Sequence, residues 1–173
     1  MSMSDVADDQ IISAEMRAAE GRVLSSRSSY PISASDIRKW AIAVYHPEPP
    51  PSKYIGAGAA GGEAALVAPQ EFNPFAWATP GAKPKPSDVS ANFLENQMGI
   101  APPPMKFMVN GGSVCEYGAP MREGDVITTA YSLKGYTVKQ GKKGPLLITE
   151  TQDRWTNQKG EMVRTTTLTL VRY

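Results

Sequence analysis

One histidine and one cysteine stand in the 173 residues, and they set the limits of any site chemistry. His46 closes an apolar run in "AVYHPEPPPSKY" (residues 43–54), and Glu48 follows two positions later. An imidazole and a carboxylate so placed are a candidate acid–base pair, since both titrate usefully. The competing reading is helix-end chemistry: an imidazole favoured by the dipole at a helix C-terminus, then a solvated loop carboxylate. Cys115 with His46 would make a thiolate–imidazole dyad. Cys115 falls in a strand-like run, however, where a lone cysteine is expected as a small buried apolar group. One histidine and one cysteine are too few ligands for a structural zinc, so no metal is expected. A single cysteine also allows no internal disulfide, which suits a reducing cytoplasm.

Three further motifs offer ligand chemistry. "GAGAAG" (Gly56 to Gly61) has the G-x-G-x-x-G spacing of a dinucleotide site. Such a site needs a buried strand that aims the helix amides at a pyrophosphate. Only Tyr54 and Ile55 separate these glycines from "PEPPPSK", so a loop is expected instead. Asn110, Gly111 and Gly112 precede a strand, either as a turn needing positive φ or as a backbone contact to a ligand. In "QGKKGP", Lys142 and Lys143 occupy a hairpin loop, where they could meet phosphates as point charges, although exposed turn lysines need no such purpose. "PMREGD" reads as turn chemistry with Arg122 facing solvent, and Trp155 and Asn157 read as structural.

The elements that must position these groups follow from pattern. Ser13 caps a short helix closed near Gly21. Ser33 and Asp36 form a capping box, and Ile37, Trp40, Ala41 and Val44 then fall at i, i+3, i+4 and i+7 as one apolar stripe. Pro47 stops that helix at or before His46. A third helix runs from a Ser87 cap to Gly99. Phe72, Phe75 and Trp77 are expected to be buried. After Pro104 the texture is β: residues 113–121 as one strand, then 126–139, 145–156 and 161–172 as an antiparallel meander joined by "GKKG" and "NQKG". Helices first and a sheet after them give an α+β domain. The sheet needs an apolar partner, and "FNPFAW" is the large candidate. A curved sheet wrapped around a helical segment is the hot-dog arrangement, whose edge strand favours side-by-side dimers. Residues 1–12 are expected as a loose tail and 13–173 as a single domain. Eighteen basic against seventeen acidic residues give a net charge of +1, no footprint for nucleic acid or an anionic membrane. The polar, acidic start excludes a secretory signal, and no apolar run approaches the ~20 residues of a bilayer span.

Four stretches in order, "DIRKWAIAVYHPEPPPSKY", "LVAPQEFNPFAW", "VNGGSVCEYGAPMREGDVITTAYSL" and "GKKGPLLITETQDRWTNQKGEMV", resemble the N-terminal dehydratase domain of the MaoC-like hydratases over about residues 25–173. The resemblance implies a hot-dog fold acting on acyl thioesters, usually of coenzyme A, with no cofactor. Catalytic members carry Asp-x-Asn-Pro-x-His after a short helix. The carboxylate and imidazole activate one water, while amides at the start of the hot-dog helix stabilise the enolate. Here His46 stands at the Asp position, Glu48 at the Asn and Pro51 at the His, so the motif is degenerate. The family's organisation then implies a non-catalytic half of an (R)-specific enoyl-CoA hydratase. This half shapes the acyl-CoA channel, and a partner hot-dog chain supplies the intact motif. Two alternatives stay open: a self-sufficient hydratase or thioesterase using His46 and Glu48, or a carboxylate such as Glu71, and a non-enzymatic acyl-CoA-binding module. Under the resemblance, Asn110, Gly111, Gly112, Lys142 and Lys143 are the candidate substrate contacts.

Overall fold

Alternation of buried and open residues along the longest strands organises the molecule, seen here as a computed structural model that describes residues 11–56, 66–76 and 90–173. Helix α1 (Ala14–Ala18) opens the described fold. It is followed by strand β1 (Val23–Ser28), helices α2 (Ala34–Tyr45), α3 (Ser52–Ile55) and α4 (Phe93–Met98), and strands β2 (Met108–Tyr117), β3 (Thr128–Gly141), β4 (Gly144–Thr156) and β5 (Met162–Arg172). The strands form one antiparallel sheet in the order β1-β3-β4-β5-β2. The three-strand meander matches expectation to within two residues at each end.

On β4, Leu147, Thr149, Thr151 and Trp155 are buried on one face, with Asp153 between them half-buried, while the residues of the other face are not buried, the signature of a sheet with one covered face. Helix α4 supplies one cover. Leu94 and Met98 pack with Met16 of α1 against Leu133, Tyr136, Leu147 and Leu170. A second cluster joins Ile37 of α2 and Phe72 and Phe75 to Ile127, Trp155 and Val163. The aromatic segment is therefore one of two covers, not the sole one.

The capping signals hold. Ser13 Oγ accepts from the Met16 amide and Ser33 Oγ from the Asp36 amide, each at 3.1 Å. Gly99 ends α4 at φ 71°, a left-handed conformation that glycine takes without penalty. Along α2, Ile37 and Ala41 are fully buried, but Val44 is exposed because the helix runs past the edge of the core before it stops at Tyr45. Residues 23–28 form a strand that the sequence pattern did not announce: β1 pairs with β3 over Val23–Ser28, and its side chains are nearly all exposed, so no apolar alternation marks it. Strand β2 spans 108–117 rather than 113–121, ending where Gly118 meets the Met162 carbonyl too closely for any Cβ. Ile11 and Ile12 are buried in the first cluster, so packed residues begin before the expected boundary at 13. Ser87, Trp77 and most of "GAGAAG" lie outside the described residues, and Gly56 caps α3 at φ 61°. Among the described residues, no helix is long and apolar enough to cross a membrane.

Candidate functional site

The residues expected to form a degenerate motif come to the surface in order. His46 is the C-cap of α2, its amide donating to the Ile42 carbonyl at 3.1 Å, and the His46–Pro47 bond is cis. The Glu48 amide donates to the Tyr45 carbonyl at 2.8 Å, and Pro51 precedes α3. His46, Glu48 and Pro51 are all exposed. This is the helix-end arrangement, with the two titratable groups in solvent. Behind them the Tyr45 and Tyr54 rings lie 6.0 Å apart, and Lys53 Nζ sits 4.7 Å from the Tyr54 centroid. Desolvation first, then the Tyr54 hydrogen bond, hold the Tyr45 phenol above its ordinary range. At neutral pH it remains a proton-bearing donor. A cavity of about 310 Å³ adjoins this segment, reaching from Lys53 and Tyr54 past Gln70 to Tyr117 at the end of β2.

Asn110, Gly111 and Gly112 lie inside β2 as a bulge rather than ahead of a strand. Asn110 Oδ1 accepts from the Gly112 amide at 2.7 Å, and Gly112 takes φ +116°. A Cβ on Gly111 would come within 2.9 Å of Val171 Cγ2, so close strand approach explains that glycine. Cys115 is exposed on the same strand, with its sulfur 3.6 Å from Thr166 Oγ1. The expectation of a buried thiol fails because β2 is an edge strand open to solvent along its length. Lys142 and Lys143 form the exposed tip of the β3–β4 hairpin, beside a groove of about 700 Å³. Glu71 is exposed and reaches Arg164 at 3.8 Å. Arg164 in turn stacks on Trp155 of the second cluster, so Glu71 stands away from the cover that α4 provides.

Sequence reasoning missed the most buried charges. Glu95 of α4 and Arg172 of β5 are 0% and 1% exposed. Arg172 Nη1 donates to Glu95 Oε2 at 2.7 Å and Nη2 to Oε1 at 3.0 Å. The guanidinium also donates to Thr149 Oγ1 at 2.7 and 3.1 Å and to the Ala91 carbonyl at 3.0 Å. The Tyr136 hydroxyl donates to Glu95 Oε1 at 2.6 Å, and burial, with that bond, pushes its pKa far above the ordinary phenol range. Both Glu95 oxygens are thus engaged, which removes it as a water-activating base while pinning α4 to the sheet. The signal was present: Ala91, Leu94, Glu95 and Met98 fall at i, i+3, i+4 and i+7, with a carboxylate in an otherwise apolar stripe. A second carboxylate, Asp153, accepts from the Thr129 hydroxyl and, at 2.9 Å, from Trp155 Nε1. It faces a cleft of about 350 Å³ shared with Arg27, Phe75 and Tyr131. Among the described residues no cluster of three potential ligands could hold a metal.

Comparison with known proteins places this arrangement. No curated protein matches the sequence. The ChsH1–ChsH2 complex from Mycobacterium tuberculosis contains a chain similar at 17% identity, with a TM-score of 0.55, covering 92% of this chain and 88% of that one. The MaoC-like dehydratase from Rhodospirillum rubrum is 17% identical at a TM-score of 0.46, with coverages of 88% and 92%. R-hydratase PhaJ1 from Pseudomonas aeruginosa is 12% identical at 0.46, with coverages of 86% and 80%. The five-stranded antiparallel sheet closed over α4 is a hot-dog fold. The model of the FAS1-like dehydratase domain region matches residues 18–166, and the chain belongs to that family.

Proposed function

We propose that this chain is the non-catalytic subunit of a heteromeric (R)-specific enoyl-CoA hydratase, acting with a partner hot-dog chain that carries Asp-x-Asn-Pro-x-His. What supports the reading is the exposure of His46, Glu48 and Pro51, the residues that the sequence resemblance aligns with the catalytic motif, together with the fact that proline has no proton to exchange. Hydration needs a carboxylate and an imidazole on one water, and the one imidazole of the chain sits in solvent at the end of α2. The cavity behind that segment, lined by Lys53, Tyr54 and Tyr117, supports a channel-shaping role. Its substrate is an acyl-CoA thioester, no cofactor takes part, and the compartment is the cytoplasm.

The partner's place is supported by β2. Nine of its ten residues are exposed, and among the described residues no strand pairs with its outer edge, with Val109, Val114 and Tyr117 open to solvent. A long edge strand with apolar side chains is a template for pairing. A second hot-dog unit joined there would extend the sheet and bury on the order of 2,000 Å² or more. Nothing favours the thioesterase alternative at Glu71, which is exposed and paired with Arg164.

The test is to assay the purified chain, the purified partner and the co-expressed pair with a short trans-2-enoyl-CoA. Turnover by the pair alone is expected. A homodimer of this chain that hydrates the substrate unaided overturns the assignment.

A further inference from the structure

The cleft beside Asp153 brings two opposite charges to one cavity without letting them pair. Cross-strand register sets two rows on one face of the sheet, Arg27–Thr129–Trp155 and Ser25–Tyr131–Asp153, each running from the edge strand β1 across β3 to β4. Phe75 packs edge-on against Trp155, with ring centroids 5.2 Å apart, and the two rings form the apolar wall. The Arg27 guanidinium lies 4.5 Å from the Phe75 centroid, a cation–π placement that holds it on that wall. Among the described residues it makes no hydrogen bond and no ion pair, so its N–H donors are free. Asp153 is held by neutral donors alone, the Thr129 hydroxyl and, at 2.9 Å, Trp155 Nε1. Its charge therefore has no counter-ion. Arg164, 3.6 Å from the Trp155 centroid, pairs with Glu71 instead. The Tyr131 hydroxyl also lines the cleft and has no partner among the described residues.

We infer that this cleft binds a small zwitterion of the α-amino-acid type, its ammonium on Asp153 and its carboxylate on Arg27. The guanidinium fork matches a carboxylate with two parallel N–H bonds, and an ammonium supplies the counter-charge that the half-buried carboxylate lacks. The Tyr131 hydroxyl, able to donate or accept, completes the polar rim. The ligand's side chain lies on Phe75 and Trp155, and a volume of about 350 Å³ falls at the small end of ligand clefts. A purely anionic ligand would meet Asp153 and a purely cationic one Arg27, each an unfavourable like-charge contact. The site uses β1, β3 and β4, apart from the His46 segment and the β2 edge. It goes beyond the proposed function and does not rest on it.

Calorimetric titration of the full chain with glycine, L-alanine, L-leucine and L-phenylalanine tests it. Each is compared with the amine and the carboxylic acid that carry its side chain on a single charge. At least one of the four binds, about tenfold or more tighter than either of its singly charged counterparts. Arg27→Gln weakens that amino acid by about tenfold or more and leaves the amine unmoved. Asp153→Asn weakens the amino acid and the amine alike and leaves the carboxylic acid unmoved. Circular dichroism of both variants shows an unchanged fold. Arg27 is exposed, and an amide at position 153 keeps the Trp155 bond and can donate to the Thr129 hydroxyl in place of accepting from it. Failure of all four amino acids to bind overturns the site. Equal binding of a zwitterion and either of its counterparts overturns it too, as does indifference to either substitution.

Discussion

Two sets of charged residues stand in opposite environments. His46 and Glu48, in the segment that the sequence resemblance sets against the family's catalytic motif, are exposed at the end of α2. Glu95 and Arg172 are sealed between α4 and the sheet, with every carboxylate oxygen engaged. The contrast teaches that ionisable residues in this fold sit under two different physical constraints. One set is held because removing either member would strand the other in an apolar interior. The other set is exposed to solvent, so replacing its members strands no buried charge. A buried carboxylate on the central helix is thus not by itself a catalytic signal; its partners decide.

The largest effect comes from breaking the buried set. Glu95→Ala leaves the Arg172 guanidinium buried without its counter-ion, and urea unfolding should show a loss of about 3–5 kcal/mol. The double replacement Glu95→Leu with Arg172→Met sharpens the comparison. It should recover only part of that loss: apolar groups replace the buried ion pair at little cost, but the Tyr136 hydroxyl, Thr149 and the Ala91 carbonyl lose their partners. A double variant as unstable as the single one would mean that the pair contributes more than mutual neutralisation.

Next in size is the second cluster. Ile37 is fully buried against the aromatic segment, so Ile37→Ala should cost about 2–5 kcal/mol by the same measurement. Val44→Ala, on the same predicted stripe but 56% exposed, should change stability by no more than about 0.5 kcal/mol.

Tyr136→Phe removes the hydroxyl that donates to Glu95 and should cost about 1.5–3 kcal/mol near neutrality, as for a hydrogen bond to a charged group. It should also change the alkaline limb. The folded phenol holds its proton far above the unfolded value of 10.0, so the stability it contributes is complete below that value and is lost as pH rises above it. Wild type should therefore weaken more than the phenylalanine variant between pH 9 and 11. Equal slopes would contradict the burial argument.

How much of this was legible follows from where each residue faces. The meander announced itself through β-branched alternation and glycine turns, and the caps of α1 and α2 through Ser13 and Ser33. Strand β1 did not, because apart from Val23 and Leu24 it is serines and an arginine, almost all exposed, and carries no apolar period. The exposure of Cys115 could not be read locally either, since residue type says nothing of whether a strand is central or at the edge. Glu95 was readable from its place in the α4 stripe, and Arg172 from its even spacing with the core residue Leu170. Their meeting, 77 residues apart, required the fold.

The smallest expected effect concerns the exposed set, and it bears most directly on the central claim that catalysis is divided between two chains. The measurement is the enoyl-CoA hydration rate of the assembled heteromer, with the double substitution His46→Ala and Glu48→Gln in this chain and, separately, with the Asp or His of the partner's motif removed. The account predicts activity within several-fold of wild type for the first complex and a loss of about three orders of magnitude for the second, with assembly intact in both. The reverse outcome, a dead complex from His46→Ala and Glu48→Gln and a live one without the partner's pair, would contradict it.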